Sequence, residues 1–346
     1  MKGTLANETL VRFRSRNKGL TTMLILGALI LIVFIISMNT GYIRLSPAVL
    51  IRTLFGAGSD KESLILFDFR LPRIVISILI GAGLAVSGCI MQGISRNALA
   101  DPGILGINAG AGLMVTLFIS FFSATSTSSI FLLPILALLG GGATALLILV
   151  LAHRPHQPLS STRLLLTGIA VAAGLSAAML VLTLRLNPDQ YQFVATWLAG
   201  SIWGTNWKFV LSLLPWILIL LPYVIYKARV LNVLRLGESM ATGLGASVSR
   251  EQLKLLFAAV GLAASCVAVS GGIGFVGLIG PHLGRRLVGS RHQLLIPVSA
   301  LIGALLVITG DTLGRWILQP SEIPTGIVVA VIGAPYFLYL LSRTKE

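Results

Sequence analysis

Three arginines, Arg70, Arg73 and Arg315, stand at the edges of long apolar runs. A guanidinium placed there does one of two things. It snorkels along a lipid interface, stem on apolar surface and head in water, or it offers its fork of donors to a carboxylate. Asp311 precedes Arg315 by four residues, the spacing of an ion pair on one helix face. Other chemistry is sparse. Cys89 and Cys266 lie inside apolar runs without a CxxC partner, as helix-packed thiols do. The chain has only four His, and His282 has no His or carboxylate at ligand spacing, so no metal site and no cofactor is expected. A GxxxxGK(S/T) phosphate loop is missing, as are HExxH and GxSxG. No carboxylates pair inside an apolar run, and ionisable residues are rare near the middle of one. That argues against an intramembrane enzyme, and against an ion-coupled carrier, where such residues mark the relay.

Apolar helices must position these groups. Hydrophobic residues make up 55% of the 346, charged residues 11%, and mean hydropathy is +0.93. A soluble domain carries roughly 25% charge. The expectation is an all-α polytopic membrane protein of about ten transmembrane helices. The apolar stretches lie near 20–38, 72–92, 103–122, 131–152, 164–186, 208–226, 254–271, 272–284, 294–311 and 323–342. A crossing takes about 20 residues, so 272–284 is short for one. The first stretch follows a polar, basic leader and lacks a small-residue cleavage site, so it reads as a retained span. Residues 1–19 then form an N-terminal tail, 20–342 one membrane domain, and 343–346 a C-terminal tail.

The net charge of +15 follows the positive-inside rule better than a nucleic-acid reading. An even number of spans puts both ends on one side. That side holds 18 of the 26 Lys and Arg residues, in 1–19, 92–103, 153–163, 227–254, 284–292 and 343–346. Both termini are therefore assigned to the cytoplasm. No segment interleaves basic and aromatic residues as a single-strand binder does, so no nucleic acid is expected.

Three further patterns carry structure. Gly81, Ala85, Cys89 and Gly93 fall four apart, giving a small-residue face on which another helix can pack closely. Gly326, Ala330 and Ala334 repeat that spacing in the last stretch, and Gly168, Ala172 and Ser176 in the fifth. The inner loop 227–254 suits two short amphipathic helices broken at Gly237 or at Gly243-Leu244-Gly245; it either presents an apolar knob to a soluble partner or simply connects. In 271–282 five of twelve residues are glycine, so a broken element is expected. Broken backbone at membrane depth survives only against protein or a water-filled cavity, which makes this either a pathway wall or a site of tight packing. Ser46-Pro47 opens a short helix ending by Gly56, and Trp197, Trp203 and Trp207 suit an interfacial belt.

These residues also resemble a family. The Arg-Leu-Pro-Arg start at 70–73, the Gly-Ala-Gly-Leu-Ala-x-Ser-Gly helix, Gln92, the Asn-x-Leu-Ala-Asp-Pro turn at 97–102 and Gly106-Ile107-Asn108-Ala109-Gly110-Ala111 are similar to the FecCD family. The family usually has Pro where Ala98 stands. Leu-Gly-Glu-x-x-Ala-x-x-Leu-Gly-x-x-Val at 236–248, Gly-x-x-Phe-Val-Gly-Leu-x-x-Pro-His ending at His282, Asp-x-x-x-Arg at 311–315 and Glu-x-Pro-x-Gly at 322–326 continue the resemblance to the C-terminus.

The resemblance implies a permease subunit of a type II ABC importer for an iron–siderophore, with ferric hydroxamate the first expectation and haem or cobalamin the alternatives. It implies a second permease subunit, two ABC ATPase subunits, an extracytoplasmic substrate-binding protein, and a place in a bacterial cytoplasmic membrane. ATP hydrolysis would belong to the partner. Gly237, Glu238, Ala241, Leu244 and Gly245 would couple to the ATPase. Arg70, Arg73 and Arg315 would meet glutamates of the binding protein. Gly272, Gly274, Phe275, Gly277 and Pro281 would line or gate the pathway. A stand-alone secondary transporter and a non-transporting scaffold are the rival readings.

Overall fold

In lipid a backbone must satisfy its own hydrogen bonds, so long apolar runs become helices. The computed structural model describes residues 2–41, 46–122, 127–153 and 161–343. Its helices are α1 (Lys2–Asn39), α2 (Pro47–Leu54), α3 (Asp60–Ser63), α4 (Leu71–Ser95), α5 (Ile107–Phe121), α6 (Thr127–Ala152), α7 (Ser161–Thr183), α8 (Pro188–Leu198), α9 (Trp207–Tyr226), α10 (Ala228–Leu234), α11 (Glu238–Gly243), α12 (Val248–Ser270), α13 (Val276–Val288), α14 (His292–Ile317) and α15 (Thr325–Arg343). A π-helical turn, Leu64–Arg70, leads into α4, and a 3-10 turn, Pro102–Leu105, leads into α5.

The ten apolar stretches map onto α1, α4, α5, α6, α7, α9, α12, α13, α14 and α15 in order. Seven of these are long and apolar enough to cross a membrane, and α5 and α15 are shorter apolar helices. The stretch 272–284 is not one continuous helix. Residues 271–274 are non-helical, and α13 begins only at Val276. The stretch 103–122 likewise opens as a 3-10 turn before α5. Residues 2–19 of the expected N-terminal tail are helical and run on into the first span as part of α1. Of the expected C-terminal tail, Arg343 closes α15 and residues 344–346 lie outside the described residues, as do 154–160 of the loop 153–163.

Local chemistry sets several helix starts. Ser46 accepts from the Val49 amide and Pro47 occupies the first turn of α2, as its dipeptide predicts. Asn187 and Gln190 form a reciprocal capping box on α8. Asn206 caps α9.

At the centre lies α4, where 78% of the apolar window is buried, against 11% for α1. Its small-residue face packs as the spacing predicts. A Cβ added at Gly81 or at Gly303 would overlap the other's carbonyl, so α4 and α14 cross backbone to backbone. Ala85 fits against Gly280 and Gly303, and Gly93 lies under Leu231 and His292. Ser87 donates to the Ala259 carbonyl at 2.6 Å, tying α4 to α12. Cys89 and Cys266 are both fully buried in this core.

Candidate functional site: an arginine cluster, a broken helix pair and an exposed loop tip

At one end of the bundle the starts of α4 and α15 meet the ends of α1 and α14. Each arrives with charged or polar groups that need partners. Asp311, its side chain fully buried, resolves this by accepting from Arg73 Nε at 2.9 Å and Arg315 Nε at 3.1 Å, with Thr325 Oγ1 at 3.3 Å. Arg73 also reaches Glu322 at 2.8 Å. The α1 helix ends here with carbonyls that no further helical turn can satisfy. Arg315 donates to the Thr40 carbonyl at 3.0 Å and to Ser37, and Arg70 donates to the Met38 carbonyl. The three predicted arginines are thus brought together, and two of them are turned inward. Arg70 and Arg315 are 6% and 5% exposed. The i,i+4 pair Asp311–Arg315 is present as its spacing predicts. Glu322 joins the cluster from the Glu-x-Pro-x-Gly motif, and Ser37 and Thr40 complete it without having been singled out by sequence.

The second site is the break between α12 and α13. Gly271 (φ +67) sits so tightly on the Trp197 carbonyl that a side chain has no room. Gly272 lies beside the Leu198 carbonyl and the Asn108 amide. Phe275 holds φ +65, a region that costs an L residue energy. Its ring is wedged against Gly333 and meets Phe337 edge-on, centroids 6.3 Å apart. Gly272, Gly274 and Phe275 are partly exposed, whereas Gly277 and Pro281 are buried. Gly277 packs on Gly88 of α4 and on the Asp101 carboxylate. Gln92 donates to the Gly277 carbonyl at 3.2 Å and accepts from Arg285. Asp101 is the residue that sequence reasoning left at a polar turn. It accepts from the Gly103 amide at 2.7 Å and reaches inward beside Leu84. Trp197 packs on the break, and Trp203 is 74% exposed.

The third site is the loop 227–254, which forms two short helices broken at Gly237 (φ +104), with Gly245 (φ +81) closing the second. They differ in role. In α10, Leu231 and Leu234 are buried on the bundle. Asn232 bonds to His292 and Gln293, Arg235 donates to the Ser290 carbonyl at 3.1 Å, and Lys227 pairs with Glu251 at 2.8 Å. The hydrogen bond to Glu251 holds the Lys227 ammonium above the usual lysine range. In α11 only Ala241 is buried, while Leu236, Met240 and Leu244 are 55%, 64% and 66% exposed. Glu238 stands in the first turn of α11. The result is a shoulder packed on the bundle that carries an apolar tip. Met240 is the tip residue that the sequence motif did not mark.

A helical bundle of this kind, with central close-packed helices and lipid-length spans, is the architecture of a multi-pass membrane protein. The FecCD transport family matches residues 29–343. The chain is 50% identical over 333 residues to the iron(3+)-hydroxamate import system permease protein FhuG of Bacillus subtilis (strain 168), covering 95% of this chain and 98% of that one. It is 43% identical over 329 residues to the Fe(3+)-citrate import system permease protein YfmE of the same strain, covering 95% and 97%. Its backbone matches a metal-chelate type ABC transporter solved in an inward-facing conformation, with TM-score 0.81, 32% identity, and 93% and 98% of the two chains covered. The chain belongs to the FecCD transport family. It is a transmembrane permease subunit of an ABC importer, and ATP hydrolysis belongs to a separate subunit.

Proposed function

We propose that this permease carries an iron–hydroxamate siderophore across the bacterial cytoplasmic membrane. The observation that carries the substrate class is the 50% identity to an iron–hydroxamate permease, spread over 95% of the chain. The citrate permease stands further away at 43%.

In this reading two permease subunits, identical or paralogous, enclose the path. Two ATPase subunits receive the apolar tip formed by Leu236, Met240 and Leu244, with Gly237, Glu238, Ala241 and Gly245 shaping its turn. The α10 shoulder passes their movement to α14 and α13. Gly272, Gly274 and Phe275 border the path at the helix break, while Gly277 and Pro281 hold α13 against α4. The substrate-binding protein docks at the end carrying Arg70, Arg73 and Arg315. Both termini and the loop 227–254 face the cytoplasm. Charge pairs at such a rim steer the encounter and fix register more than they add affinity.

Deleting the gene tests the substrate class. Growth on ferric hydroxamate as the sole iron source should fail and return with the intact gene, while growth on ferric citrate persists. Loss of growth on citrate but not hydroxamate would refute the assignment. Cysteines placed at Thr242 and at Lys61 test the topology: an impermeant thiol reagent added to whole cells should label only the second.

A further inference from the structure

The two carboxylates that bind Arg73 differ in kind. The Asp311 side chain is fully buried and is also held by Arg315 and Thr325. The Glu322 side chain is 31% exposed and touches only one edge of the guanidinium, at 2.8 Å. It stands in the exposed turn before α15. Arg73 also lines a cavity of about 340 Å³ between this turn and α8, bordered by Thr196, Ser201, Trp203, Glu322 and Thr325. Arg70 and Arg315 present no such face, because both are aimed at the carbonyl end of α1.

We infer that Glu322 is an internal stand-in for an acidic side chain of the substrate-binding protein, which displaces it from Arg73 on docking. This rests on the docking reading proposed above and narrows it from three arginines to one. A guanidinium already desolvated by Asp311 is expensive to leave half-paired. Glu322 covers the remaining donors while the partner is absent. Exchanging one carboxylate for another keeps the charge balance of the cluster, and the released Glu322 has water to return to. The exchange also reaches further. The Ile323 amide donates to the Gly314 carbonyl at 3.1 Å and the Gly326 amide to the Gly200 carbonyl at 2.8 Å, and Gly200 packs on Gly272 at the helix break.

The test measures binding-protein affinity for the full permease–ATPase complex in nanodiscs at low salt, using wild type, Arg73→Gln, Glu322→Gln and the double variant. Arg73→Gln should weaken binding about fivefold, the upper end for a solvent-exposed charge pair. Glu322→Gln should tighten it about threefold or more, because the competitor is gone. In the double variant the gain should vanish, since Glu322 acts only through Arg73. A tightening cannot come from misfolding, so the expected result is informative without a stability control. Glu322→Gln binding no tighter than wild type would overturn the stand-in. So would an equal gain in the Arg73→Gln background, which would mean a bulk charge effect. No loss with Arg73→Gln would overturn docking at this arginine itself.

Discussion

The side-chain oxygen of Asn232 lies 3.0 Å from the backbone nitrogen of His292 and 2.8 Å from its ring Nδ1. One residue of α10 thereby caps the start of α14, and its amide nitrogen continues to Gln293 at 2.8 Å. The contact joins the loop proposed to meet the ATPase to a central helix of the bundle. Asn232→Ala should leave the complex assembled but loosen this joint by about 1 kcal/mol, roughly fivefold in coupling. The check is iron taken up per ATP hydrolysed in liposomes. A wild-type ratio would remove Asn232 from the transmission.

Asp311→Ala leaves two buried guanidiniums without their shared carboxylate. Breaking a buried charge set by removing one member costs about 3–5 kcal/mol. The variant should give a clearly lower melting midpoint in detergent, and Asp311→Asn a smaller drop. An unchanged midpoint for the alanine variant would mean that the cluster does not brace this end of the bundle.

Gly303→Leu should prevent α4 and α14 from closing. The obstacle is the Gly81 backbone, not a flexible side chain, so relief requires the helices to separate. Overpacking costs about 1–3 kcal/mol where side chains can adjust, and more is expected here. Gly142→Leu is the control, since nothing lies within 4 Å of its added Cβ. Equal yields of the two variants would contradict the close crossing.

Met240→Asp with Leu244→Asp puts charge on the exposed tip of α11. Neither residue is part of the buried core, so the permease should still fold and insert. Co-purification with the ATPase should fall at least tenfold, as expected when an apolar anchor is lost. Retained co-purification would place the ATPase contact elsewhere.

Much of this was legible in local spacing. The four-residue repeat at Gly81, Ala85, Cys89 and Gly93 foretold a close helix face, because helix geometry alone puts those positions in line. Gly237 and the glycines of 271–274 foretold their breaks for the same local reason. The Asp311–Arg315 pair was visible at four residues' separation. The partners that sequence did not supply are distant. Arg73 meets Asp311 across 238 residues, and Asn232 meets His292 across 60. Which charge pairs with which depends on how whole helices dock, and no periodicity records that. The same holds for Asp101, whose polar turn looked like the end of a span until α13 packed Gly277 against it. Arginines at the ends of apolar runs suggested groups facing outward, but the open carbonyls of α1 draw Arg70 and Arg315 inward.

The most direct measurement is ATP-dependent uptake of radioactive iron, supplied as ferric hydroxamate, into liposomes holding this permease with its partner permease, its ATPase and its binding protein. Accumulation should require ATP, the binding protein and this chain together, and should exceed that of ferric citrate. Uptake that persists without the ATPase, or a complex that hydrolyses ATP with the binding protein yet moves citrate and not hydroxamate, would contradict the account.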